Sequence, residues 1–535
     1  MSRSGPPLYS SSRRPLHHLA LAVLLLCLLL PRTARAELEL ELGLFNRFTL
    51  KRDEVQRRLL YDTSTQAFAG RSYLTPSLDD IYYSFLARAG VVWKPRKWIA
   101  LGLSVDSGEL RPVGNLPEET TLTLSLPAAA SLLGSPTVQT TGTRSPVTAN
   151  GQHIRDEARE TFFIRQAFVR LQAPETEWLV ADLGRFESEL SGGLIYGDYG
   201  LGVRLLFDLE LLKGKPFRLS SRLLLPTRTW TTGMRSPLLE LRGEYVLSLL
   251  ETIGLSLTYY HDGDNNFGAL FVPVISEAAV KLQPTLDPDL HRDLFSLFLS
   301  TGAPSRANLA WITLDANKYF GDLQLSASFV VEVGHLSLDN IFQVLTLLGK
   351  TPATEKLPKG DTLEVSTLGF ALDLSARYLI TEKLALGGFF LYLSGDGNPL
   401  LNGGERYGSF LGVVPHLTQT NLFFSGGMNE TFSGRQASTS GIDGRGVIAA
   451  GLNGSWELRE RFRVGATAAV LFSQESSPIS GGRFYGQETD LEASVAITSF
   501  LRLSLEYDVL WGGNFYAASG VTHKLLCGLD LTYER

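Results

Sequence analysis

Residues 370–397 read FALDLSARYLITEKLALGGFFLYLSGDG, two alternating runs joined by Thr381-Glu382-Lys383. In the first run Phe370, Leu372, Leu374, Ala376, Tyr378 and Ile380 share one face, and Asp373, Ser375 and Arg377 share the other. Successive side chains of a strand point to opposite faces, so each run reads as a strand with one apolar side. A length of about ten residues is what a tilted strand needs to cross a bilayer. Tyr378 and Tyr392 fall where the two membrane–water boundaries would lie, a level that favours amphipathic rings.

The same pattern recurs from Glu37 to the C-terminus. Leu38, Leu40, Leu42, Leu44, Phe48 and Leu50 oppose Glu37, Glu39 and Glu41; Leu201, Val203, Leu205, Phe207, Leu209 and Leu211 oppose Arg204, Asp208 and Glu210; Phe462, Val464, Ala466, Ala468, Val470 and Phe472 oppose Arg463 and Thr467. About eighteen such strands are predicted, starting near residues 37, 80, 97, 161, 177, 199, 215, 238, 252, 307, 321, 365, 383, 444, 460, 484, 500 and 521. Short links alternate with long ones, near 51–79, 107–160, 262–306, 336–364 and 395–442. Short periplasmic turns and long external loops are the asymmetry of an outer-membrane barrel. Hydrocarbon offers no partner to a backbone N–H or C=O, so the sheet must close on itself. The fold class is therefore all-β, a closed antiparallel transmembrane β-barrel. A soluble β-sandwich or β-helix would alternate too, but would not alternate loop length strand after strand.

The N-terminal segment supplies an address. A basic, polar start precedes the apolar run Leu19–Leu30, and Ala34-Arg35-Ala36 is a small-x-small cleavage signal. Residues 1–36 read as a secretory signal peptide, by the general route rather than the twin-arginine one, and 37–535 as the barrel; the apolar run is too short to span a bilayer as a helix. Of the two cysteines Cys27 lies in the signal, so the mature chain keeps Cys527 and forms no internal disulfide. A net charge of −6 gives no basic field for nucleic acid. The outer membrane of a Gram-negative bacterium is the expected location. The last strand, Gly528-Leu529-Asp530-Leu531-Thr532-Tyr533, has the apolar and aromatic spacing read by the barrel-insertion machinery.

Three places in the chain resemble the alginate-export porin family. They are Arg165-Gln166-Ala167-Phe168-Val169 with Gly184-Arg185; Ser394-Gly395-Asp396 with Phe410 and Val414-Pro415-His416; and Gly486-Gln487-Glu488-Thr489-Asp490. The resemblance implies a single-chain barrel of eighteen strands that passes polysaccharide through the outer membrane, with a periplasmic export partner and a cationic pathway.

The inward face carries the candidate site. Arg165, Arg204, Arg222 and Arg242 fall on strands four, six, seven and eight and form a basic wall of the pore. Asp182 and Arg185 have opposite parity, so one points outward unless Gly184 hosts a bulge or Arg185 sits above the lipid. Glu488, Asp490, Glu492, Glu506 and Asp508 form an acidic wall across the lumen, and the two walls set up a transverse field that orients solutes. Interior charges that merely keep the lumen wet and paired are the plainer reading, and Asp208, Glu210, Glu240 and Glu244 are placed to neutralise the arginines. Among the long loops, Pro112–Asn150 and Gly395–Gly441 are candidates to fold into the mouth as a constriction.

No enzyme is expected. His261–Asn266 starts like a calcium loop but has Phe267 for the turn glycine and Pro273 for the last ligand, and Leu348–Thr351 lacks the first glycine of a phosphate loop, with Val344 in its place. No metal site, cofactor motif or catalytic triad is legible. The expected function is a channel exporting an exopolysaccharide, with a passive porin for small hydrophilic solutes as the alternative and a barrel enzyme or adhesin as a third class. The expected partners are the polysaccharide or solute, outer-membrane lipid and the insertion machinery.

Overall fold

The computed structural model describes residues 37–53, 79–107, 110–113, 123–124, 138–139, 163–173, 178–226, 236–248, 250–263, 305–339, 362–397, 406–424, 426–428, 441, 444–477, 480–516 and 520–534. The segment read as a signal peptide and both near-miss loops, 264–273 and 344–351, lie outside the described residues. One antiparallel sheet holds nineteen strands, of which eighteen close a barrel. The barrel strands are β1 Glu37–Asp53, β2 Asp79–Arg96, β3 Ile99–Asp106, β4 Phe163–Gln172, β5 Leu179–Leu190, β6 Tyr196–Asp208, β7 Phe217–Leu225, β8 Leu238–Val246, β9 Thr252–Asp262, β10 Ser305–Phe320, β11 Leu323–Asp339, β12 Thr362–Thr381, β13 Leu384–Leu393, β14 Val447–Arg459, β15 Phe462–Phe472, β16 Phe484–Ala496, β17 Leu501–Gly512 and β18 Val521–Glu534. The nineteenth, Leu110–Val113, lies against β2.

Each barrel strand pairs with its successor, and β18 returns to β1, with Leu42 opposite Tyr533 and Phe48 opposite Cys527. No barrel edge is left to carry unpaired amides. Apolar residues face outward all round the ring, among them Leu50, Leu257, Ile312, Phe329, Leu452 and Leu505, each substantially exposed. In water such a belt would drive aggregation, whereas against acyl chains it is the matched surface.

Two local departures from simple alternation have readable causes. β6 stops at Asp208, because its carboxylate accepts the amides of Glu210 and Leu211 at 3.0 and 3.1 Å and caps a short helix, α1 Leu209–Lys213. The alternation read through Leu209, Glu210 and Leu211 is thus corrected to one helical turn, closed by Gly214 in the left-handed conformation. On β5, Gly184 takes φ +124°, and both Asp182 and Arg185 are buried, Arg185 Nε donating to the Arg165 carbonyl at 3.2 Å.

The main core lies inside the barrel, in its extracellular half. Inward-facing Leu224, Leu238, Tyr260, Leu309, Trp311, Leu391, Ala449, Leu471 and Tyr485 are buried against a folded insert. The insert has two parts: the β5–β6 hairpin tip, with Leu190, Leu194, Ile195 and Tyr196, and the β13–β14 loop, with Tyr407, Phe410, Leu411, Leu417 and Phe424. Backbone bonds join them, the amides of Val413 and Val414 to the Ile195 carbonyl at 2.8 and 3.1 Å and that of His416 to Gly193 at 2.8 Å. Trp311 Nε1 donates to the Leu411 carbonyl at 3.0 Å, and Ser191 Oγ lies 2.7 Å from Thr313 Oγ1 on β10, so the insert reaches across to the wall. The described part of Gly395–Gly441 therefore folds into the mouth, while most of Pro112–Asn150 lies outside the described residues.

Candidate functional site

The arginines of the basic wall all turn inward, and each has partners. Asp182, almost fully buried on β5, accepts Arg170 Nε at 2.7 Å and Arg204 Nε at 2.8 Å, and the Arg204 guanidinium stacks 5.1 Å from the Phe186 ring. Arg222 lies directly opposite Arg204 in the ladder and 3.3 Å from Glu240, and donates to the Glu189 carbonyl at 2.7 Å. Arg242 sits two residues further along, opposite Ser220 rather than in the same row, and grips Asp315 with both terminal nitrogens at 2.9 and 2.7 Å and Glu244 with Nε at 2.7 Å. Arg165 donates from Nε to the Tyr199 hydroxyl at 2.6 Å and lies 3.9 Å from Glu41. Asp208 pairs with Arg218, not Arg204, and Glu210 belongs to α1. This wall is a set of closed ion pairs with little net charge to offer a solute.

The acidic residues also turn inward, but four of the five are covered. Glu488 accepts the Thr420 hydroxyl at 2.9 Å and the amides of Leu422 and Phe423 at 2.5 and 3.0 Å. Asp490 accepts the Asn421 amide at 3.2 Å, Asp508 the Asn421 side-chain nitrogen at 3.0 Å, and Glu506 the Met428 amide at 2.5 Å. Lys524 on β18, which sequence reading missed, is buried between Glu506 at 2.6 Å and Asp508 at 3.0 Å. These carboxylates fasten the loop by charge-assisted bonds, which are stronger than neutral ones. Glu492 alone is exposed, one step closer to the periplasm.

Beneath the loop lies a chamber of about 680 Å³ in the periplasmic half. Thr418, Gln419, Gly427 and Met428 of the loop form its roof, and Asp373, Ser375, Asn453, Thr467, Glu492 and Ser504 are among its polar walls. Arg47 and Asp530 pair with each other across β1 and β18 on one side. Three further arginines line it: Arg377 on β12, Arg463 on β15 and Arg502 on β17. All three are exposed to the lumen, and none has a hydrogen bond or ion pair with another described residue. Strand parity placed Arg377 and Arg463 on the inner face, but only the structure separates these uncommitted cations from the paired ones.

A closed barrel that is greasy outside and charged within has one place to reside. The chain is an outer-membrane β-barrel of porin architecture. No family model matches the sequence, and no curated protein does. Solved structures similar to it include OccAB1 of Acinetobacter baumannii, with 8% identity over 94% of this chain and 99% of that one and a TM-score of 0.48. OprD from Pseudomonas aeruginosa has 10% identity over 94% and 96% at 0.45, and a BenF-like porin from Pseudomonas fluorescens Pf-5 has 9% over 93% and 99% at 0.45. Likeness at this level assigns no family. The resemblance to alginate-export porins is corrected: the solved structures matched are Occ and OprD porins instead. The short stretches that carried the resemblance have structural work here, Phe410 and Val414 to His416 in the insert and Glu488 and Asp490 in its anchor.

Proposed function

We propose that the barrel is a passive pore for small hydrophilic solutes, with anions favoured at its periplasmic end. The observation that carries this reading is the insert, which packs as an apolar core across the extracellular half of the lumen and leaves a chamber of about 680 Å³ below it. That volume lies in the range of small-molecule sites, roughly 300–1,000 Å³. A polysaccharide chain needs a continuous wide bore, which a folded core does not leave.

Charge selectivity is set by uncommitted groups, because a paired guanidinium presents little field at a distance. Arg377, Arg463 and Arg502 are those groups, and the paired arginines 165, 204, 222 and 242 brace the wall. In a planar bilayer with a salt gradient, the wild type is expected to show an anion-selective reversal potential, and R377A/R463A/R502A to shift it toward cations. A reversal potential unchanged by the triple substitution would remove the assignment.

A further inference from the structure

The outward face of β9 to β12 carries an ordered change of chemistry. Leu257, Ile312, Val331 and Phe370 lie side by side in one cross-strand row, and Tyr259, Ala310, Val333 and Leu368 form the next row toward the extracellular end. The row after that is His261, Asn308, His335 and Ser366, and beyond it come Arg306, Ser337 and Glu364. The apolar belt therefore ends along one line, and at strand spacings of about 4.8 Å the two imidazoles stand roughly 10 Å apart with Asn308 between them.

The polar row is organised. Asn308 Oδ1 accepts the Tyr259 hydroxyl at 3.0 Å and lies 2.8 Å from His261 Nδ1. The Asn308 amide donor and His261 Nε2 have no partner among the described residues. Arg306 and Asn308 are both exposed on the same outward face of β10, and Glu364 Oε2 lies 3.8 Å from His335 Nε2.

We propose that this row docks the phosphate of a membrane-anchored glycolipid in the outer leaflet. Its donors, an amide, two rings that become cations on protonation and a guanidinium, suit a phosphate oxygen set. Its position fixes the source: the row stands at headgroup height, and Tyr259, Leu257, Ile312 and Val333 continue beneath it as a surface for acyl chains. A soluble phosphate would gain nothing from that apolar continuation.

The test is native mass spectrometry of the full-length barrel in detergent with diphosphoryl lipid A as the probe. The wild type is expected to retain the lipid, R306A to weaken retention by about fivefold for the charge removed, and H261A and H335A to weaken it by less. E364Q removes the opposing carboxylate and should strengthen retention. Lipid A stripped of its phosphates should not be held. Because these side chains face away from the lumen, conductance of the variants should equal that of the wild type, which verifies folding. Equal retention by the wild type and the triple variant H261A/H335A/R306A would overturn the proposal, as would retention of dephosphorylated lipid or equally tight capture of inorganic phosphate alone.

Discussion

Lys524 and Arg463 are both cations on the inner wall, yet they do different things. Lys524 is buried between two carboxylates that also hold the loop, so replacing it would leave Glu506 and Asp508 facing each other without a counter-charge. Removing one partner from a buried ionic cluster costs about 3–5 kcal/mol. Lys524→Met is therefore expected to lower the unfolding free energy of the barrel, read from urea curves in phospholipid vesicles, by that amount. Arg463, exposed and unbound, should change it by less than about 0.5 kcal/mol when made alanine. Equal losses in the two variants would show that burial does not separate the two groups. From the sequence the two looked alike in kind, since strand parity gives the direction of a side chain and not its partner. Asp182 makes the same point, as its two arginines come from neighbouring strands that lie on either side of it.

At the scale of elements, period-2 alternation was enough to find all the barrel strands, because lipid outside and water inside impose opposite chemistries on successive residues. It failed where a third environment intervenes. In Phe389–Leu393, FFLYL, the alternation vanishes, since Phe389, Leu391 and Leu393 face the apolar insert while Phe390 and Tyr392 face out. That continuous run was a visible sign of a filled lumen, but it reads equally well as an ordinary buried strand, so by itself it did not choose between the two loops read as candidates for the mouth. Asp208 likewise ended a strand that hydrophobicity alone would have continued. Gly184, where the ladder on both sides keeps its register, gives a sharp check on geometry. Gly184 at φ +124° has the Ala167 carbonyl oxygen 2.2 Å from where a Cβ would stand. Gly184→Ala should destabilise the barrel by about 1–3 kcal/mol, read from the same vesicle unfolding curves. A variant as stable as the wild type would mean that the backbone there does not need glycine.

Over the whole molecule, the closed ladder and the filled extracellular half act together. The ladder supplies the stability that lets strand residues carry buried charge, and the insert turns a wide cylinder into a restricted passage. Its anchors lie on β16 and β17, its apolar face on β7 to β17, and the chamber it leaves is walled by β12 to β18 and β1. Strand count and direction were legible from periodicity and loop length, and Gly395–Gly441 was one of two loops read as candidates for the mouth; its anchorage was not legible, because the grip depends on carboxylates that read as pore lining. The most direct measurement of the central claim is polymer exclusion of single-channel current in a planar bilayer, with poly(ethylene glycol) of graded size added to the bath. A lumen occupied by its own loop should conduct in small steps that only the smallest polymers reduce by entering. Steps that large polymers depress as readily as small ones would mean an open bore and contradict the account.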